Sequence, residues 1–408
     1  QNEDGSYSFV RSNKLGLNGA LSIDQNIWFT GGKVSLSSSL DFMKQLGSGG
    51  SRQFMSVPIA LQLTQPIFGV NNLKWNRRIE PVRYEEAKAA FITATETVTM
   101  NAITYFFNLL SAKETLGTAR QNQVNADRLY EVAGAKRKMG QISENELLQL
   151  KLAALKARAA VTDAESNLNA HMFRLRSFLA IGNDLILEPV VPESAPNLKM
   201  EYNQVLNKAL ERNSFAHNIR RRQLEAEYEV ATARGNLRSV DLFANVGYTG
   251  LNKDLSPAYH NLLDNQVVEV GVKIPILDWG KRRGKVRVAK SNRDVTLSKI
   301  KKEQMDFDQD IFLLVEHFNN QAQQLSIANE ADKIAQQRYK TSVETFLIGK
   351  INTLDLNDAQ NSKDDARQKH INELYWYWYY YYQLRSLTLW DFQNNTPLEA
   401  DFEDIVKK

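Results

Sequence analysis

Two carboxylates, Asp355 and Asp358, stand three residues apart in a helix-favouring stretch, so both project from one helical face. Paired in this way they concentrate negative charge that can attract cations, although two acids on a solvated helix surface look the same. The positions 209 residues earlier hold Glu146 and Gln149, so only one acid recurs there. No other group of side chains has a spacing that chemistry demands. The five histidines, His171, His217, His260, His317 and His370, show no ligand spacing. Asp306, Asp308 and Asp310 alternate, which in a helix spreads them around the axis rather than into a metal box. Cysteine is absent, which removes disulfides, thiolate metal sites, thiol nucleophiles and an N-terminal lipid anchor from these 408 residues. No phosphate loop, nucleophile elbow or acid–base pair is present. The chain therefore reads as a non-enzyme with no cofactor and no resident metal.

The elements that must position these residues are duplicated. The offset that relates Glu146 to Asp355 also carries Met139-Gly140-Gln141-Ile142-Ser143 onto Ile348-Gly349-Lys350-Ile351-Asn352. It carries Tyr130 onto Tyr339, Leu147 onto Leu356, Arg158 onto Arg367 and Pro66 onto Pro275. A shift held without gaps over roughly a hundred positions marks two large structural copies, too long for a solenoid or propeller unit.

Nine prolines divide the chain unevenly, with none between Pro81 and Pro189 and none between Pro275 and Pro397. Both tracts are rich in Ala, Leu, Gln, Glu, Lys and Arg, which favour helix. In the second tract Ile311, Val315, Phe318, Ala322 and Leu325 form a heptad seam. Ala102, Phe106, Leu109, Lys113 and Leu116 form a weaker counterpart in the first. A continuous helix from Val82 to Met139 would run about 87 Å, longer than an ordinary globular domain needs. Gly140 followed by Ser143, and Gly349 followed by Asn352, each read as a helix stop followed by an N-cap. Two long helical hairpins are expected, turning at about residues 140–143 and 349–352, with the connection around Pro189, Pro192 and Pro196 non-helical.

Ahead of each hairpin the period changes to two. Val34 to Phe42 pairs with Ile59 to Leu63, and Leu242 to Tyr248 pairs with Val268 to Val272, each with one apolar face. A water-filled membrane barrel needs this alternation, and a half-buried soluble sheet has it too. A helix from Glu201 to Leu237 precedes the second strand pair, and its counterpart would fall before and across the start of this sequence. Residues 1–33 read instead as extended, with Leu15, Leu17, Gly19, Leu21 and Ile23 alternating. The expectation is a leading helix and export signal outside this sequence, and a modest insertion before the first strand pair. Net charge is +4, too small to suggest nucleic acid, and no run of 18 apolar residues exists for a spanning helix.

This combination resembles the TolC-type outer-membrane efflux channels. Gln65-Pro66-Ile67-Phe68-Gly69, repeated as Ile274-Pro275-Ile276-Leu277-Asp278-Trp279-Gly280, is similar to the family's strand-to-helix junction. Tyr339 with Gly349, Asn352, Asp355-Leu356 and Ala359-Gln360 is similar to its helix-tip signature. The resemblance implies a mainly α fold with β: a homotrimer in the bacterial outer membrane, each chain giving four strands to a twelve-stranded barrel, continued by a periplasmic helical barrel. It implies the following order: residues 1–75, first strand pair with an N-terminal extension; 76–188, first hairpin; 189–240, connection and leading helix; 241–280, second strand pair; 281–390, second hairpin; 391–408, C-terminal tail.

The resemblance also assigns roles. Asp355 and Asp358 would line a narrow periplasmic entrance as stacked carboxylate rings, with Glu146 from the first copy. The family closes its entrance with bonds from a Tyr and an Arg near the second tip to an acid near the first; here those positions hold Phe346 and Ile351, with Glu146 as the acid, which implies a looser or apolar resting lock. Gly140, Gln141, Ile142, Ser143, Gly349, Lys350, Ile351 and Asn352 would form the tips that dock an adaptor protein, with an inner-membrane transporter beyond it. The run Tyr375-Trp376-Tyr377-Trp378-Tyr379-Tyr380-Tyr381-Tyr382 is assigned no site; helix packing or an interfacial belt accounts for it better than a binding cage. The alternative to a channel is a periplasmic coiled-coil scaffold with a small β domain.

Overall fold

The computed structural model describes residues 13–46, 50–182, 185–191, 196, 198–238, 240–274 and 276–400. Pro275, and the ends of the expected N-terminal extension and C-terminal tail, lie outside the described residues. The chain divides into two compact units, residues 1–84 with 218–302 and residues 85–217 with 303–408.

The first unit carries an antiparallel sheet of β1 (Asn13–Asn26), β2 (Lys33–Leu46), β3 (Arg52–Pro66), β4 (Asp241–Asn252) and β5 (Leu262–Lys273), in that spatial order. Register sorts the side chains into rows. Ile23, Leu36, Leu61, Val246 and Val268 lie opposite one another across all five strands, and the next row is Asp24, Ser35, Gln62, Asn245 and Glu269. Because side chains alternate between faces, these rows make one face mainly apolar and the other mainly polar. The apolar row is solvent-facing, with Ile23 66% and Val268 64% exposed. The register slips between Ser56 and Ile59, where Pro58 has no N–H to give to the ladder.

Four strands were expected here, and this sheet has five among the described residues. Residues 13–26 pair with β2 along their whole length, so the alternating Leu15 to Ile23 segment is a strand and not a loose insertion. The turn that returns the chain is closed by Ile27 N–H to the Gly32 carbonyl, with Gly31 at φ 78° where a side chain would be strained. The connection between β4 and β5 contains a short helix, α5 (Leu255–His260), which gives its backbone groups partners.

The helices are α1 (Asn72–Lys138), α2 (Glu144–Leu179), α3 (Tyr202–Arg212), α4 (Ser214–Leu237), α6 (Lys281–Leu347) and α7 (Thr353–Thr388). Both α1 and α6 have 67 residues, α2 and α7 both have 36, and each begins 209 positions after its counterpart. α1 starts ten residues ahead of Val82, and Pro81 lies inside it. As the tenth residue of the helix, Pro81 forfeits the bond to the Arg77 carbonyl, and the long helix runs on through that loss. The single helix expected from Glu201 to Leu237 is broken at Asn213, whose backbone is extended. Its Oδ1 accepts from Phe215 N–H at 2.8 Å and so caps α4, while its Nδ2 donates to the Leu387 carbonyl.

The second unit is held by the seam that the heptad spacing marks. Ile311, Val315, Phe318 and Leu325 are buried against Leu110, Val205, Leu374, Tyr377, Tyr381 and Leu384. Tyr377 and Tyr381 are thus core residues of the aromatic run, and the Tyr381 hydroxyl donates to Asp391 at 2.7 Å.

Candidate functional site

The two hairpin turns are built alike. Gly140 and Gly349 take φ 72° and 77°, the left-handed conformation that ends a helix. In the first, Gly140 N–H bonds the Arg137 carbonyl and Gln141 N–H the Lys136 carbonyl; in the second, Gly349 bonds Phe346 and Lys350 bonds Thr345. Ser143 and Asn352 then cap α2 and α7, accepting from Glu146 N–H at 3.2 Å and Asp355 N–H at 2.9 Å. Below the turns Leu129, Ala133, Leu150, Tyr339, Leu356 and Ala359 form a buried cluster, with Tyr130, Ile142, Leu147 and Ile351 packed around it. The residues that reveal the duplication are therefore those that bind the two tips together.

Above this cluster the tips enclose a cleft of about 530 Å³, lined by Gln141, Ile142, Glu146, Gly349, Lys350, Ile351, Asn352 and Asp355, with Lys136 and Phe346. Most of the residues named from sequence thus meet at one place. The positions of the family lock, Phe346 and Ile351, make an apolar patch here, and Lys136 Nζ stands 5.7 Å from the Phe346 ring centre.

The three acids differ. Glu146 folds back on its own helix start: its Oε2 accepts from Ser143 N–H and from the Ser143 hydroxyl, both at 2.8 Å. Ser143 N–H, then the hydroxyl, hold this carboxyl below its ordinary value. Asp355 occupies the matching third position of α7 and is exposed. Asp358 does not line the cleft; Arg338 on α6 grips it at 2.5 Å and also donates to Ser362 at 3.2 Å. Arg338 is the functional candidate that sequence reading missed. It lies as far before Ile348 as Asp358 lies after it, so counting outward from the turn would have faced them.

Among the described residues no cluster of His, Cys, Asp or Glu is arranged to hold a metal ion. No described helix is long and apolar enough to cross a membrane.

Comparison with solved structures places the fold among outer-membrane channels. The chain is similar to CusC, described for conformational changes accompanying transmembrane channel formation, with TM-score 0.66 and 15% identity over 92% of this chain and 83% of that one. It is similar to the CmeC outer membrane channel of Campylobacter jejuni, with TM-score 0.64 and 17% identity over 97% and 80%. It is also similar to the MtrE outer membrane channel of Neisseria gonorrhoeae in its open state, with TM-score 0.62 and 14% identity over 94% and 81%. No curated protein matches the sequence. The family model for outer membrane efflux protein matches residues 30–180 and 205–388. The chain belongs to the outer membrane efflux protein family, and it is not an enzyme.

Proposed function

We propose that this protein is the outer-membrane duct of a tripartite efflux or type I secretion system. Three copies would close their sheets into one barrel and their helical hairpins into a periplasmic tunnel. Each chain would give to that barrel either the four strands expected or all five strands of its sheet. An adaptor protein would dock at the tips formed by Gly140 to Ser143 and Gly349 to Asn352, and an inner-membrane transporter would supply the energy. Substrates would pass passively from periplasm to exterior when the tip helices rearrange. Sequence and fold leave the substrate open, since a duct need not recognise what it passes.

The observation that carries this reading is the row pattern of the sheet. Five strands expose one apolar face and one polar face, which suits a wall between lipid and water. A periplasmic scaffold would have to bury that exposed apolar face against a partner, whereas a membrane wall leaves it to lipid.

The tip supports a gate of mixed character. Asp355 would supply an open carboxylate ring, Asp358 a ring partly neutralised by Arg338, and Glu146 a capping role first. Single-channel recording in planar bilayers tests this. Joint replacement Asp355→Ala with Asp358→Ala is expected to lower cation selectivity by about twofold or more. Unchanged selectivity would remove both residues from the constriction, and absence of any conductance in the unmodified protein would remove the channel.

A further inference from the structure

One end of the sheet carries a charge pattern that helix physics opposes. The first ten residues of α6, Lys281 to Lys290, hold six basic side chains and no acid. A helix N-terminus carries partial positive charge, so cations are disfavoured there, yet neither α1 nor α6 has an acid in its first turn. Two positions are basic in both copies: Lys74 and Arg283, and Arg78 and Arg287. All four are exposed. None of them has an ion pair among the described residues; Arg78 lies 4.9 Å from the centre of the Trp75 ring.

Directly ahead of these residues the chain exposes large apolar side chains. Trp28 and Phe29 lie in the β1–β2 turn, Ile67 and Phe68 follow β3, and Ile276 and Trp279 precede α6 at 90% and 93% exposure. Trp279 holds φ 54°, a strained setting for a side chain open to its surroundings. The pieces are tied into one structure. Asn71 caps α1 through Lys74 N–H at 3.1 Å and donates to the Trp28 carbonyl at 2.8 Å. Asp278 caps α6 by accepting from Arg282 N–H at 3.0 Å.

The geometry points to a binding collar for anionic phospholipid headgroups of the leaflet that faces the helices. This rests on the reading of the sheet as a membrane wall. Aromatic and aliphatic side chains sit at the level of the headgroups, as interfacial belts do. The basic residues of the first helical turns follow within about 15 Å along the axis, near enough to a charged surface to act through a screened field. The recurrence of both positions in each copy would distribute the charge around the duct and not on one side.

Purified protein in neutral detergent, titrated with dioctanoyl phosphatidylglycerol and dioctanoyl phosphatidylcholine, tests the collar by native mass spectrometry. The anionic lipid is expected to bind about tenfold more tightly, with the preference falling at high salt. Glycerol phosphate, which has the charge but no chains, is expected to bind much more weakly than the lipid. The variant Lys74→Gln, Arg78→Gln, Arg283→Gln, Arg287→Gln should lose the preference while keeping its conductance in zwitterionic bilayers. A variant that keeps the preference overturns the collar. So does one that shifts ion selectivity without touching lipid binding, which would put the charges in the lumen, or one that dissociates, which would put them between copies. Should the unmodified protein enter neither bilayer, the membrane reading falls and the collar falls with it.

Discussion

At the scale of single residues, the proposed gate rests on which acids are free to act. Arg338 neutralises Asp358 across the second hairpin at 2.5 Å. Both side chains are more than half exposed, so the pair itself adds little stability. Its effect should be electrostatic. Arg338→Gln is expected to raise the cation-to-anion permeability ratio by about twofold, measured as a reversal potential in a salt gradient; a ratio that stays put means Asp358 does not face the pore. The aspartates were legible in the sequence because their spacing and the neighbouring Gly and Asn recur in a known pattern. Arg338 was not, since local periodicity says which residues share a helix face but not which residue of another helix meets them. Glu146 was named as a pore acid, yet Ser143 and Glu146 at this spacing are also a capping box, and the structure uses the carboxylate in that way.

At the scale of elements, the duplicated helices were legible almost to their ends, because glycine stops and polar caps are local signals. What escaped were features set by partners elsewhere in the fold: the Asn213 break, which depends on Leu387, and the fifth strand, which depends on β2. The heptad seam makes a quantitative forecast. Phe318 is fully buried whereas Phe312, on the same helix, is 48% exposed and touches Tyr202 edge-on. Phe318→Ala should cost about 3–5 kcal/mol and Phe312→Ala about 1 kcal/mol, compared by denaturant unfolding; equal costs would mean that Phe312 is covered in the assembly. A second forecast concerns the polar belt where Arg367 meets Glu114 at 2.7 Å and Asp332 at 3.1 Å, with His370 beside Asp332 at 3.6 Å. Burial holds the His370 imidazole below its ordinary value; Asp332 opposes that shift, and Arg367 and Lys333 assist it. The folded chain thus keeps this histidine neutral at a pH where the unfolded chain already takes up the proton. Stability is retained above the ordinary histidine value and lost as pH falls through it toward the lowered one. Thermal midpoints recorded between about pH 7.5 and about pH 5.5 should fall more steeply in the unmodified protein than in His370→Gln. Parallel slopes would assign the loss to other groups.

For the whole molecule, the decisive question is whether β1 belongs to the membrane wall. Two copies of a strand pair would have given four strands, and duplication alone cannot foresee a fifth that only one copy has. The register is what a wall strand would have: Leu21 and Ile23 lie on the apolar face with Leu36 and Leu61, while Ser22 and Asp24 lie on the polar face with Ser35 and Gln62. A strand added merely to shield an edge would have no reason to keep that alternation. The absence of cysteine lets the point be tested with single introduced thiols. In the assembled channel, Ser22→Cys should react with a charged methanethiosulfonate reagent supplied in water and reduce conductance when it does. Leu21→Cys, one residue away, should resist the same reagent and react instead with a lipid-soluble maleimide. Equal reactivity at both positions would make β1 a solvated appendage and return the wall to four strands per chain. Opposite reactivity would fix the tunnel's upper end as wider than a twelve-stranded barrel, because a barrel's diameter grows with its strand number.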